Sequence, residues 1–227
     1  MQYEIKGEGL PVVVVTLGQG EQIVTESGGM SWMSGNLLME TNMKGGLLGG
    51  LSRALAGDTV FLNTYTAQGG PGFLACASSF PGQILTFDLG PGQSVIAQRG
   101  AFLCGSPTLK LSVHMRRSLG MMMFGGEGFV LERIEGPGRV FLEVDGSVEK
   151  LVLQPGQTMI VDPGHIAAYS PNLTVSLETV KGFKNIFLGG EGLFICRVTG
   201  PGELFLQTLT ASKMAAAILP FIPKSSS

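Results

Sequence analysis

Residues 82–142 return in residues 146–206 at a constant offset of 64, without a gap. Leu89-Gly90-Pro91-Gly92-Gln93 falls on Leu153-Gln154-Pro155-Gly156-Gln157, and Ser106-Pro107-Thr108-Leu109 on Ser170-Pro171-Asn172-Leu173. Gly125-Gly126-Glu127-Gly128 meets Gly189-Gly190-Glu191-Gly192, and Gly136-Pro137-Gly138 meets Gly200-Pro201-Gly202. A more diverged copy stands in front. At an offset of 72, Leu17-Gly18-Gln19-Gly20-Glu21 matches the first of these turns, and Ser34-Gly35-Asn36-Leu37 matches Ser106 to Leu109. After a small insertion, Ala56-Gly57-Asp58 lies opposite Gly125-Gly126-Glu127, and Gly70-Pro71-Gly72 opposite Gly136-Pro137-Gly138. A fixed period of this length means one supersecondary unit used repeatedly. The copies run over about 10–79, 80–144 and 145–209 of a single domain spanning 1–227, with an apolar tail at 210–227.

Within each copy the texture is strand, turn, strand. Val12-Val13-Val14-Val15, Phe129-Val130-Leu131 and Leu193-Phe194-Ile195-Cys196 are short β-type runs bounded by glycine and proline. In the Pro-Gly pairs proline presets φ and glycine takes the positive-φ position, so they read as tight turns. Alternation over Gln83–Leu89 predicts a strand with one buried face. The fold class that follows is all-β: a triplicated sandwich- or barrel-like unit. Three copies in one chain predict a pseudo-threefold arrangement, which would close edges that a lone copy leaves open.

Composition excludes several classes. Hydrophobic residues make up 44% and charged residues 14%, which gives a core and argues against disorder. The net charge of -2 argues against nucleic acid, since phosphate neutralisation demands a basic surplus. Cys76, Cys104 and Cys196 are an odd number, far apart, among apolar neighbours. They read as buried, reduced thiols of a cytoplasmic protein. No signal-peptide pattern or apolar run of about 20 residues is present, so neither export nor a membrane-spanning helix is predicted.

The Leu-x-Pro-Gly-Gln turns, the Gly-Gly-Glu-Gly and Gly-Pro-Gly stretches, and Gly28-Gly29-Met30-Ser31-Trp32-Met33 together resemble the altered-inheritance-of-mitochondria protein 24 family. The resemblance spans nearly the whole chain. It implies a triplicated β fold like that of the tryptophan RNA-binding attenuation protein, and, for the mitochondrial member, a link to inner-membrane organisation. Lacking a presequence, this chain looks like a prokaryotic member. A fold analogy to an RNA-binding ring does not itself carry function.

No zinc-protease helix, nucleophile elbow, phosphate loop or dinucleotide fingerprint occurs, so neither a catalytic residue nor a cofactor is predicted. His114 and His165 are not equivalent in the repeat and read as surface or turn residues rather than metal ligands. Asp58, Glu127 and Glu191 are equivalent, and read as acceptors for backbone amides of their glycine-rich turns; a ring of carboxylates around a cation is the sharper alternative.

Just before these acids, each copy has a segment that begins basic and turns apolar. They hold Lys44, Leu47, Leu48 and Arg53; Arg116, Arg117, Met121 and Met122; and Lys181, Phe183 and Lys184. Gathered at one end, such segments would suit an anionic membrane surface or a protein partner. For Met121-Met122-Met123-Phe124 the simpler reading is a strand buried on both faces. The tail from Ala211 to Pro223 reads as a short helix broken by proline, docking on the body or on a neighbouring subunit, and the chain is expected to form a homo-oligomer. The function expected is a non-enzymatic β scaffold that binds a surface; the alternative is an RNA- or small-ligand-binding ring.

Overall fold

The computed structural model describes residues 1–42, 62–117, 128–179 and 194–222, and for residues 42, 116 and 117 the backbone alone. A leading strand β1 (Gln2–Lys6) precedes β2 (Val12–Leu17), β3 (Gln22–Glu26), β4 (Trp32–Met33), β5 (Leu37–Asn42), β6 (Leu62–Ala67) and β7 (Gly72–Ala77). Next come β8 (Gly82–Leu89), β9 (Ser94–Gln98), β10 (Phe102–Gly105), β11 (Lys110–Arg117), β12 (Phe129–Glu135) and β13 (Gly138–Asp145). The last group is β14 (Val148–Leu153), β15 (Thr158–Val161), β16 (Ile166–Tyr169), β17 (Thr174–Thr179), β18 (Phe194–Thr199) and β19 (Gly202–Gln207), followed by helix α1 (Ala211–Ile218). Among the described residues the protein is all-β apart from this helix and short 3-10 turns.

Every recorded strand pair is antiparallel, and pairings recur at the offset of the sequence. β8 lies on β13 from Leu89↔Gly138, and β14 on β19 from Leu153↔Gly202. A register shift between Phe102 and Cys104 in β10 returns between Ile166 and Ala168 in β16. The described residues form four sheets, with orders β1-β2-β7-β4, β5-β6-β3-β10-β13-β8, β11-β12-β9-β16-β19-β14 and β15-β18-β17. Each six-stranded sheet joins three strands of one group to three of the next, through β3 on β10 and β9 on β16.

The repeated motifs have physical work to do. Gly20, after Gln19, and Gly92 and Gly156, after proline, take φ of 79°, 76° and 77°, the positive φ that the third position of such a tight turn requires. In these turns the Glu21, Gln93 and Gln157 side chains accept from the N–H of Gly18, Gly90 and Gln154 at 2.8, 2.7 and 3.0 Å. The serines act alike: Ser34, Ser106 and Ser170 Oγ accept from the N–H of Phe73, Arg139 and Glu203 at 2.9, 3.0 and 2.9 Å. Each serine thereby satisfies a backbone donor, partly buried in the Ser106 and Ser170 cases, and three residues later Leu37, Leu109 and Leu173 are buried.

The core forms three clusters. One collects Val13, Val15, Leu17, Leu74 and Cys76 with Cys104 and Phe141 of the next group. A middle one centres on Val95, Phe102, Ile134 and Leu142, and takes in Val24 and Ala168. The third holds Val161, Ile166, Tyr169, Cys196 and Val198 together with Ile96. Burying each such side chain contributes about 1.5–3 kcal/mol.

One sequence expectation needs correction. β8 does not have one buried and one solvent face: its residues Ile84 to Phe87 are all half-buried, Ile84 against the first cluster and Leu85 and Phe87 against the middle one. The tail meets the body through a hydrogen bond of Lys213 to His165 and not through its apolar residues. α1 buries none of its residues, and Leu219 and Phe221 are exposed. It is tied down at its first turn, where Thr210 Oγ1 accepts from Lys213 N–H at 3.2 Å.

Candidate functional site

The three basic-apolar segments are placed by the strands that flank them. β5 and β6 pair up to Asn42↔Leu62, β11 and β12 up to Arg117↔Phe129, and β17 and β18 up to Thr179↔Phe194. The segments 43–61, 118–127 and 180–193 therefore connect three hairpins that hold corresponding places in the strand order. Arg116 and Arg117 lie at the end of β11, opposite Val130 and Phe129. Lys44, Leu47, Leu48, Arg53 and Asp58 fall outside the described residues, as do Met121, Met122 and Glu127, and Lys181, Phe183, Lys184 and Glu191.

Within the described residues, polar chemistry gathers where strand groups meet. At the β9–β16 junction, Gln207 Nε2 donates to Gln98 Oε1 at 3.1 Å and to the Gly164 carbonyl at 2.8 Å. Shifted back one unit, Gln98 becomes Glu26 and Gln207 becomes Glu143, so the β3–β10 junction carries two carboxyls in place of two amides. Burial and then the neighbouring Glu132 push Glu26 up to about 7, with Arg99 opposing and Glu143 adding to the rise. Burial also raises Glu143, against the N–H of Ser79, which donates to its Oε2 at 2.6 Å. Arg99 Nε stands 3.9 Å from the buried Glu132. Such a group can store a proton, because a desolvated carboxyl beside other carboxylates favours its neutral form. Among the described residues no group of three or more His, Cys, Asp or Glu is placed to hold a metal ion.

His165 links the body to α1. Its Nε2 is 2.6 Å from Lys213 Nζ and its Nδ1 2.6 Å from the Gln207 carbonyl. A lysine ammonium only donates, so Nε2 accepts and Nδ1 carries the proton. His114 is exposed on β11 with its ring 6.4 Å from that of Tyr169, and burial followed by the Arg133 charge lowers its pKa. All three cysteines are buried free thiols. Burial raises Cys104, whose thiol also meets Cys76, and pushes Cys196 up to about 12.

Sequence reasoning singled out none of Glu26, Arg99, Glu132, Glu143 or Gln207. The available signal was position: Glu26 and Glu143 are equivalent to a glutamine pair one unit on, but nothing in a strand pattern says that those two positions touch.

The architecture so far defines an antiparallel all-β protein of several sheets. The chain belongs to the mitochondrial biogenesis AIM24 family, whose pattern matches residues 3–209. It is 32% identical to an uncharacterized protein of Streptococcus pyogenes serotype M6 over 227 residues, covering 95% of this chain and 88% of the relative. It is also similar to a structural-genomics crystal structure of a Streptococcus pyogenes protein. That likeness has a TM-score of 0.80 at 26% identity and covers 97% of this chain and 99% of the other. Among the described residues no helix is long and apolar enough to cross a membrane.

Proposed function

We propose that the protein is a non-enzymatic, cytoplasmic β scaffold that contacts an anionic membrane surface through its three basic-apolar hairpin connectors. The observation that carries this reading is the equivalence of the connectors: each follows corresponding paired strands and has the same order of basic then apolar residues. Basic residues beside an anionic surface gain about 1 kcal/mol each, and apolar neighbours add burial in the interface. The exposed Leu219, Phe221 and Ile222 after α1 offer a further apolar contact. The family's mitochondrial description agrees with work at a membrane, and it is the family's property rather than a measurement on this chain.

Flotation with anionic and neutral vesicles tests this reading, using wild type and the variant Arg116→Ser, Arg117→Ser, Lys181→Ser, Lys184→Ser. Binding to anionic vesicles, abolished by salt and by the variant, is the expected result. A folded protein that stays at the bottom of the gradient would overturn it, and binding of RNA or a small ligand would then be the reading to pursue.

A further inference from the structure

Arg133 and Arg197 stand at equivalent positions one unit apart, and so do His114 and Glu178. On the later strands Arg197 of β18 grips Glu178 of β17 as a fork. Its Nε donates to Oε1 at 2.7 Å and its Nη2 to Oε2 at 3.1 Å. One unit earlier the arginine is kept and the carboxylate is replaced by a histidine. Arg133 Nη1 there donates to Ser94 Oγ of β9 at 2.9 Å, and among the described residues no carboxylate pairs with it. A guanidinium has five N–H donors, so this half-buried fork keeps donors to spare.

The backbone around His114 differs as well. Glu178 sits in a regular ladder opposite Ile195. On β11, Val113 faces Glu132 and Met115 faces Leu131, which leaves His114 as the extra residue of a bulge. A bulge re-aims the side chain it carries, and this one brings the imidazole to the Tyr169 ring at 6.4 Å, edge against face. Arg133 and Tyr169 flank Ile96 from either side, on β12 and β16. Residues paired across neighbouring strands share a face of the sheet, so Arg133 and Tyr169 point the same way.

Tyr169 supplies a second, independent sign. It is 1% exposed, and among the described residues its hydroxyl meets no hydrogen-bond partner, although nearly every buried hydroxyl has one. The Arg133 charge reaches both rings: it opposes the rise that burial and Cys196 impose on Tyr169, and it adds to the lowering of His114 by burial. Guanidinium, phenol and imidazole can all donate here, and the fitting complement is an anionic acceptor. We infer that Arg133, His114 and Tyr169 form a binding site for a small organic carboxylate, which takes on Arg133 the place that Glu178 takes on Arg197. Exposed His114 is the open side of the site. Ile96 and Leu131, buried in the third cluster with Tyr169, are the apolar neighbours for the carbon part of the acid.

Butyrate is the probe, butyramide its uncharged counterpart, and proton NMR of the chain's 2 histidines the readout. The His114 imidazole signals should shift saturably with butyrate and stay in place with butyramide. Those of His165, which is held by Gln207 and Lys213, should not move with either. Arg133→Gln should weaken binding by roughly tenfold or more, since a charged fork is lost. Tyr169→Phe should bind more weakly with no loss of thermal stability, because its hydroxyl has no partner to lose. His114→Glu supplies the carboxylate from within the chain, so butyrate should raise the melting temperature of wild type and leave this variant unchanged. Circular dichroism checks that each variant is folded. His114 signals that do not saturate, that move equally with butyramide, or that move as readily in folded Arg133→Gln would each overturn the inference. Equal stabilisation of wild type and His114→Glu would overturn it too. None of these outcomes depends on vesicle binding.

Discussion

Replacing Glu26 by glutamine puts at one of the two carboxyl positions of the β3–β10 junction the amide that the equivalent Gln98 supplies at β9–β16. In the folded chain Glu26 titrates at about 7, against an ordinary value of 4.5. Between those two pH values the unfolded chain has lost the proton and the folded chain still holds it. Stability therefore falls as pH rises through this window, and the loss is complete above about pH 7. At about 1.4 kcal/mol per pH unit the full span amounts to roughly 3 kcal/mol, and relaxation around the ionised carboxyl lowers that to about 1–3 kcal/mol. Glutamine does not titrate, so Glu26→Gln should match wild type near pH 4.5 and exceed it by that amount at pH 8. Urea unfolding followed by circular dichroism at both pH values measures the difference. Glu143 and Asp145 are also raised by burial and slope the same way, but they remain in both proteins. If the gap between variant and wild type is the same at both pH values, the buried-carboxyl reasoning is wrong.

Three further outcomes are expected. Gly82→Ala should destabilise the protein by about 2–4 kcal/mol in denaturant titrations, because a Cβ there would collide with the Val144 carbonyl that β13 sets beside it. Ser106→Ala should cost about 1–2 kcal/mol, as the Arg139 N–H loses the hydroxyl that accepts it at 3.0 Å; wild-type stability would contradict the role given to the repeated serine. The thiols should be inert to a disulfide reagent at pH 8 in the native protein and react fully in denaturant, since Cys76, Cys104 and Cys196 are buried. Rapid labelling without unfolding would refute that.

The turns were legible in the residues because their physics is local. Pro-Gly and the glutamine after it imply a positive-φ glycine and a returning side chain, and Gly92 with Gln93 supplies both. Strands at Val12–Val15 and Phe129–Leu131 were legible for the same reason. Strand exchange between neighbouring groups was not. A hydrophobic pattern states which face is buried and is silent on which edge strand lies beside it, so β3 on β10 and β9 on β16 could not be read. Gln83–Leu89 shows the limit from the other side: it alternates, yet two clusters each half-cover one of its faces. Apolar tail residues such as Leu219 and Phe221 imply a partner without saying whether it lies in the same molecule, and both are exposed. The basic-apolar segments stand out in the sequence as a repeated charge pattern, and apart from Arg116 and Arg117 they lie outside the described residues. Its polar counterpart at Glu26 and Glu143 depended on knowing which strands touch.

Amide hydrogen exchange with and without anionic vesicles tests most directly whether the three connectors meet a membrane surface. The strand ends that lead into them, residues 39–42, 114–117 and 176–179, should become protected with anionic vesicles and stay unchanged with neutral ones. Exchange that is the same at all three ends with either kind of vesicle, in a folded protein, would contradict the account.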